Sequence, residues 1–202
     1  MKIHERPEQK FMTLPNLLSA FRLVVAPILL WLAWHGYDDL FLILLAAGFF
    51  SDALDGITAR LTGQVTEFGA MLDSWADVIT YLTIAVSTWW LWPDVVNREI
   101  VYVALVIASY LLPAVVGIVK FGSFTSYHTW TVKFAAAAMA FSLYTLFLGG
   151  PAWPFRTASF ICALAAFEEM AITLLLTQKQ SNISSLWSVI RHIYSARSRS
   201  NQ

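Results

Sequence analysis

The sequence predicts an all-α integral membrane protein with six transmembrane helices and both termini in the cytoplasm. Three observations lead to this fold class. Of the 202 residues, 58% are hydrophobic and 13% are charged, and the mean hydropathy of +0.62 is far above that of soluble domains. The apolar residues form long runs, and the positive charges concentrate on one side of them. Because six spanning helices of roughly 20 residues use about 120 residues, no second, soluble domain fits.

Six apolar stretches follow one another along the chain. They lie at about 14–35, 39–61, 67–92, 99–121, 129–149 and 155–176. Turn residues or charges separate them, such as Gly36 after the first, Pro93-Asp94 after the third and Gly149-Gly150-Pro151 after the fifth. We therefore predict a cytoplasmic N-terminal segment 1–13, a membrane domain 14–176 and a cytoplasmic tail 177–202.

Lys and Arg residues set the orientation, because they concentrate in cytoplasmic loops. With six spans, only Arg98 and Arg156 of the thirteen Lys and Arg residues fall on the side opposite the termini. This distribution predicts cytoplasmic termini. We also expect a multi-pass protein of the bacterial inner membrane. In the tail, apolar residues recur at helical spacing, which predicts an amphipathic helix on the bilayer, with a partly disordered tail as the alternative. These residues are Ile183, Leu186, Trp187, Ile190, Ile193 and Tyr194.

Four aspartates carry most of the functional information. Asp52 and Asp55 lie in the second stretch, and Asp73 and Asp77 lie in the third. A spacing of three or four residues places each pair on one helix face. An acid at the centre of a bilayer helix costs on the order of 2.5–3.5 kcal/mol, so four of them need a wet cavity or a cation. Since a short turn near 62–66 joins the two helices, we expect the acids to converge near the cytoplasmic helix ends.

The residues around these acids indicate a polyphosphate ligand. Oxygen ligands without His or Cys suit Mg²⁺ or Mn²⁺, and four carboxylates can hold two such ions, as in phosphoryl transfer. Arg60 follows Asp55 by about one turn, where a guanidinium can bind phosphate through two hydrogen bonds. Gly56 and Gly69 allow a helix or a ligand to approach closely. Taken singly, the glycines would be helix-packing residues and Arg60 a topology charge.

The pattern Asp52-x2-Asp55-Gly56-x2-Ala59-Arg60-x8-Gly69-x3-Asp73-x3-Asp77 resembles the signature of the CDP-alcohol phosphotransferase family at every fixed position. The segment Leu14-Pro15-Asn16-Leu17-Leu18-Ser19, followed by Arg22, is similar to the family's Pro-Asn element, with Ser19 where Thr is usual. The resemblance covers about 15–176. It implies a six-helix homodimer in the lipid bilayer that transfers a phosphate-bearing group from a CDP-linked donor to an alcohol and releases CMP.

Carried over position by position, the resemblance also implies roles for individual residues. Two divalent cations, Mg²⁺ or Mn²⁺, would be held by Asp52, Asp55 and Asp73, with Asp77 as a shared ligand and the general base. The cytidine diphosphate site would be lined by a further set, namely Gly56, Ala59, Arg60 and Gly69, with Thr66 and Asn16 as additional members. CDP-diacylglycerol is the expected donor, because it is the family's commonest one, and a small alcohol is the expected acceptor.

The region after the fourth stretch bears on the acceptor. Family members with a phosphorylated acceptor need a basic cluster there, and this chain has Lys120, His128 and Lys133 without the Lys-x-Lys-Thr run of phosphatidylglycerolphosphate synthases. His128 and Lys133 are candidate acceptor contacts, with an interfacial residue and a snorkelling topology charge as the respective alternatives. Glu168 and Glu169 are further candidates, because acids inside an apolar run face the interior of the helix bundle. The alternative is that they lie at the helix end, where water solvates them.

Two other functions compete with this interpretation. Intramembrane prenyltransferases also use Asp-rich motifs and magnesium, but their two motifs lie in separate halves of a longer chain. A cation transporter also uses intramembrane carboxylates, but it has no need of Gly56 and Arg60 at these spacings. The formal net charge of zero gives no indication of a nucleic-acid partner, and we expect none.

Overall fold

The computed structural model describes residues 13–62, 67–122, 127, 129–178, 183 and 185–191, without the side chains of 15, 53, 55–62, 67, 68, 70 and 74. Within these residues the regular elements are α-helices. They are α1 (Leu14–Trp34), α2 (Asp38–Thr62), α3 (Glu67–Leu91), α4 (Pro93–Arg98), α5 (Ile100–Phe121), α6 (Trp130–Phe147) and α7 (Trp153–Leu175). All six predicted stretches are helical, with closely similar bounds. The short helix α4 is an addition, because its position was predicted to be a break.

Local sequence signals explain where several helices begin and end. The Thr13 hydroxyl accepts a hydrogen bond from the Asn16 amide (3.4 Å) at the start of α1, and Thr129 accepts one from Val132 (3.2 Å) at the start of α6. Pro93 occupies the first position of α4, where a missing N–H costs nothing. Gly122 ends α5 in the left-handed conformation (φ 66°) that glycine adopts without strain.

Four helices of the described chain are long and apolar enough to cross a membrane. They are α1 over Asn16–Trp34, α5 over Ile100–Phe121, α6 over Trp130–Phe147 and α7 over Trp153–Leu175. Helices α2 and α3 have 25 residues each, which exceeds the length that a span requires, but both contain side chains outside the described set. The second and third spans, the total of six and the cytoplasmic termini remain predictions.

The chain forms two compact units, and the first comprises Met1–Asp94. In this unit α1 contacts both α2 and α3. Its buried apolar residues include Leu29, Phe41 and Leu45. The Ser51 hydroxyl on α2 donates a hydrogen bond to the Leu18 carbonyl on α1 (3.2 Å). Helix α1 is therefore the element around which α2 and α3 are arranged.

The second unit, Val95–Gln202, is arranged around α7, which contacts α5 and α6. Its core includes Met139, Phe155 and Cys162, the only cysteine of the chain. Glu99, next to the first residue of α5, is buried and accepts two hydrogen bonds from Arg156 of α7, at 2.8 and 2.9 Å. Packing and one ion pair thus join α5 to α7.

The described part of the C-terminal tail packs on α7. Residues 186–191 are helical, and Ile183 and Val189 are buried in a cluster with Ile172 of α7 and Leu176, the residue that follows α7. Trp187 is exposed. Ile183 and Val189 contact the protein, because the end of α7 offers an apolar surface, and the position of the tail on the bilayer stays a prediction. Ile193 and Tyr194 lie outside the described residues.

Candidate functional site

Three of the four predicted acids come together in the first unit. Asp52 lies on α2, and Asp73 and Asp77 lie one turn apart on α3. One carboxylate oxygen from each of the three lies within 4.8 Å of the others. The side chain of Asp55 is outside the described residues. The structure therefore forms a cluster of oxygen atoms from two helices, as the spacing of the acids predicts.

Arg22 of α1 lies among these carboxylates. Its Nη1 is 2.5 Å from Asp52 Oδ1 and 2.5 Å from Asp77 Oδ1, and its Nη2 donates to Asp73 Oδ1. The Arg22 side chain is 3% exposed, whereas the three carboxylates are 27–45% exposed. The guanidinium is thus the buried side of the cluster, and the acids form its accessible side.

Sequence reasoning assigned Arg22 to the family's first-helix element and counted it among the cytoplasmic topology charges. It missed the contact with the acids. A signal was available, because Arg22 is the one charged residue inside the otherwise apolar α1. Charged residues within membrane helices almost always face the bundle interior and pair with other charges. The four aspartates, which also lie within apolar stretches, are candidates for such a pair.

The geometry of the three carboxylates fits a divalent cation. Mg²⁺ binds oxygen at about 2.0–2.1 Å, and larger hard cations bind it at up to about 2.6 Å, so two ligand oxygens on one ion lie at most about 4–5 Å apart. The three oxygens lie within 4.8 Å of one another, which the larger ions can span, and Mg²⁺ needs them to approach by at most about half an ångström. Carboxylates without nitrogen or sulfur donors are also the ligands that such ions prefer. Asp52, Asp73 and Asp77 are therefore a chemically suitable cation site.

A small cleft opens beside the cluster. Its lining combines charged, hydroxyl and aromatic side chains, from Arg22, Gly48, Phe49, Asp52, Asp77, Thr80 and Tyr81. Thr80 is buried, and it lies three residues after Asp77 on α3. The cleft gives the accessible carboxylates a partly enclosed polar environment, in which charge interactions are stronger than in bulk water.

The predicted nucleotide-binding residues are described only in part. Asn16 is buried in the first turn of α1, where its backbone N–H donates to the Thr13 hydroxyl. Gly69 lies in the first turn of α3, one turn before Asp73. Gly56, Ala59 and Arg60 lie on α2 at positions whose surroundings are not described, and Thr66 lies outside the described residues. Their role in binding cytidine diphosphate stays a prediction.

The candidate acceptor residues lie in the second unit, and the two glutamates have partners within the protein. Glu168 accepts a hydrogen bond from the Leu186 amide (2.9 Å) and another from the Thr129 hydroxyl (3.2 Å). Glu169 accepts one from the Tyr127 amide (3.2 Å). These carboxylates therefore attach the segment before α6 and the C-terminal helical segment to α7.

The basic candidates are also in contact with neighbouring groups. Lys133 is exposed, with its Nζ 5.0 Å from the centre of the Trp130 ring. Lys120 Nζ donates to the Leu174 carbonyl (2.7 Å). His128 lies outside the described residues. Contact of Lys133, His128 or the glutamates with an acceptor stays a prediction.

Comparison with known proteins identifies relatives of the chain. It is 36% identical over 87 residues to a cardiolipin synthase (CMP-forming) of Streptomyces coelicolor, covering 40% of each chain. It is 33% identical over 109 residues to a probable cardiolipin synthase (CMP-forming) of Drosophila melanogaster, covering 49% of this chain and 34% of that one. A stretch of 42 residues is 52% identical to an archaetidylinositol phosphate synthase of Pyrococcus horikoshii, covering 21% of this chain and 22% of that one.

These matches each span less than half of the relative's own length. No solved structure matches the chain. The family model for CDP-alcohol phosphatidyltransferases, in contrast, matches residues 12–178, which include α1 to α7 and the carboxylate cluster. The chain therefore belongs to the CDP-alcohol phosphatidyltransferase family.

Proposed function

We propose that this chain is an enzyme that transfers a phosphatidyl group from CDP-diacylglycerol to the hydroxyl of a small alcohol and releases CMP, in phospholipid biosynthesis. The observation that carries the proposal is the gathering of Asp52, Asp73 and Asp77 within 4.8 Å in a chain of this family. We further propose a homodimer with its active site on the cytoplasmic side of the membrane. Neither prenyl transfer nor cation transport is supported by the family match.

Each acid has a chemical role in this proposal. Asp52, Asp55, Asp73 and Asp77 would hold two divalent cations, Mg²⁺ or Mn²⁺, which supply charge neutralisation at the pyrophosphate and at the departing CMP. The Arg60 guanidinium binds a donor phosphate through paired hydrogen bonds. The Asp77 carboxylate is partly exposed beside the cleft, so an acceptor hydroxyl can reach it.

The transfer then needs one proton acceptor and one leaving group. The acceptor oxygen forms a bond to the phosphorus that carries diacylglycerol, and the bond from this phosphorus to the bridging pyrophosphate oxygen breaks. CMP leaves with the bridging oxygen, and Asp77 takes the proton of the acceptor hydroxyl. A carboxylate can act as the base because proton loss accompanies attack and because the site holds the reactants in line.

Phosphatidylglycerol is a second candidate acceptor. Two relatives are named as CMP-forming cardiolipin synthases, and cardiolipin consists of two phosphatidyl groups joined through glycerol. The acceptor panel therefore includes this lipid.

The experiment is a product analysis with the purified full chain in detergent. The protein is incubated with CDP-diacylglycerol, Mg²⁺ or Mn²⁺, and one acceptor at a time: glycerol 3-phosphate, serine, choline, inositol phosphate or phosphatidylglycerol. We expect CMP and one new phospholipid with a single acceptor. Absence of CMP with every acceptor and both metals contradicts the proposed function, and formation of cardiolipin selects the second candidate.

A further inference from the structure

The Arg22 guanidinium occupies the space between carboxylates that come from two other helices. One of its nitrogens, Nη1, contacts Asp52 and Asp77 together at 2.5 Å, and Nη2 contacts Asp73. Arg22 is far more buried than the three acids. Among the described side chains, the positive charge of Arg22 therefore lies between three negative charges at the point where α1, α2 and α3 meet.

We propose that Arg22 is the resident counter-ion of this cluster and that its guanidinium moves out of the cluster when a divalent cation binds. The proposal rests on the metal site proposed above. Carboxylates whose oxygens lie within 4.8 Å repel one another strongly unless a positive charge lies between them. Arg22 provides this charge and keeps the three side chains converged on one point in the absence of a cation.

The same contacts make Arg22 a competitor of the cation. A small hard ion binds carboxylate oxygens at short distance and with demanding geometry. A guanidinium in contact with all three ligands fills part of that volume, and its positive charge repels an incoming cation in a partly enclosed site. Coordination by Asp52, Asp73 and Asp77 together therefore requires the Arg22 contacts to open.

Arg22 could compete with the cation or only position the carboxylates, and these two roles have opposite consequences for cation affinity. If Arg22 only positions the acids, removing it lowers the affinity for a divalent cation. If Arg22 is the counter-ion that the cation replaces, removing its charge raises the affinity, while the cation-free protein loses stability because the three carboxylates lose the positive charge that lies between them. The direction of the change in affinity therefore distinguishes the two roles.

The test measures Mn²⁺ binding to the purified full chain in detergent without any nucleotide donor, from the electron paramagnetic resonance signal of free Mn²⁺. We expect Arg22→Gln to bind Mn²⁺ about tenfold more tightly than wild type, or more. We also expect its melting temperature in EDTA to lie below that of wild type, and saturating Mn²⁺ to remove most of the difference, because a ligand that binds only the folded state stabilises it.

Arg156→Gln is the matched control, because it removes an arginine from an ion pair in the other unit. It is expected to lower the melting temperature equally in EDTA and in Mn²⁺ and to leave Mn²⁺ affinity unchanged. If Arg22→Gln does not purify as a folded protein, Arg22→Lys serves instead. It retains one charge but not the two-nitrogen contact, and we expect tighter Mn²⁺ binding than in wild type by a smaller factor.

Two results would overturn the proposal in different ways. Equal or weaker Mn²⁺ binding by the Arg22 variants, with measurable binding by wild type, shows that Arg22 is not displaced, and it leaves the metal site intact. Absence of Mn²⁺ binding in wild type and in all variants removes the metal site itself, and with it the proposed function on which this inference rests.

Discussion

Asp52 on α2 and Asp77 on α3 contact the same nitrogen, Nη1 of Arg22, at 2.5 Å each. The two acids belong to different helices, and the guanidinium belongs to a third. The cluster therefore exists only when α1, α2 and α3 are packed together. Because the cluster depends on the tertiary structure of the first unit, substitutions at its members affect cation binding, chemistry and stability to different extents, and these effects can be measured separately.

The first prediction concerns the metal ligands. Asp52→Asn is expected to lower CMP release by more than about 100-fold, because a neutral amide replaces an anionic ligand and even loss of an outer-shell partner typically costs 10–100-fold. EDTA should abolish wild-type CMP release, and Mg²⁺ or Mn²⁺ should restore it. Asp38→Asn, an exposed acid in the first turn of the same helix, is the control and should retain activity. Undiminished CMP release in excess EDTA contradicts the two-metal proposal.

A second prediction separates the base from the ligand at Asp77. Asp77→Asn keeps the size and one oxygen of the side chain but removes its basicity, so CDP-diacylglycerol binding should survive while CMP release falls about 10²–10⁴-fold. Both are measured in the presence of metal. Normal turnover would show that Asp77 is not the base. Joint loss of donor binding and turnover would assign Asp77 to the cation site instead.

The third prediction concerns the donor. Arg60→Lys is expected to weaken the apparent affinity for CDP-diacylglycerol by about tenfold or more, or roughly 1.4 kcal/mol, because lysine cannot form the paired hydrogen bonds of a guanidinium. The apparent affinity for the acceptor should change less. Arg191→Lys, at an exposed position of the tail, is the control for loss of an arginine. An unchanged donor affinity in Arg60→Lys would leave Arg60 as a topology charge.

Local sequence determines the parts of the fold that were predicted. A run of apolar residues long enough to span a bilayer forms a helix almost wherever it lies, so the six stretches match helices α1 to α3 and α5 to α7 closely. The convergence of Asp52 with Asp73 and Asp77 was also predictable, because helical spacing and a short connection bring the two faces together. The break at Pro93 was less predictable, since proline ends one helix and begins another equally well.

Contacts between distant residues were not predictable in the same way. Helical periodicity shows which face Arg22 occupies, but it does not show that α1 packs against both α2 and α3, which places Arg22 beside acids from each. Glu168 is a similar case. Its partners, Leu186 and Thr129, depend on how the tail and the segment before α6 pack on α7.

The fourth prediction tests this role of Glu168. Glu168→Ala removes the acceptor of the Leu186 amide and of the Thr129 hydroxyl, and a hydrogen bond to a charged group contributes about 1.5–3 kcal/mol. We therefore expect amide hydrogen exchange in residues 186–191 to become at least about tenfold faster. Glu169→Ala removes the acceptor of the Tyr127 amide instead, so it should change exchange in residues 186–191 much less. Equal exchange in wild type and Glu168→Ala would show that packing of Ile183 and Val189 alone holds the segment.

The last prediction is a pH dependence of stability that originates at Glu99. This buried carboxylate immediately precedes the span Ile100–Phe121, and the hydrogen bonds from Arg156 hold its pKa below the ordinary value of 4.5. An acid whose pKa is lower in the folded state stabilises the fold at pH values above its unfolded pKa, and this contribution is lost as the pH falls through the folded pKa. The melting temperature of wild type should therefore fall as the solution is acidified below about pH 4.5. Glu99→Gln should melt at a lower temperature than wild type at pH 7, and the difference should shrink on acidification because protonation removes the advantage of the wild-type charge.

Thermal unfolding of both proteins between pH 7 and pH 3 is the measurement, with Asp94→Asn, an exposed acid on α4, as a control that should follow wild type. Parallel curves for wild type and Glu99→Gln over this range would show that the ion pair with Arg156 does not contribute to stability.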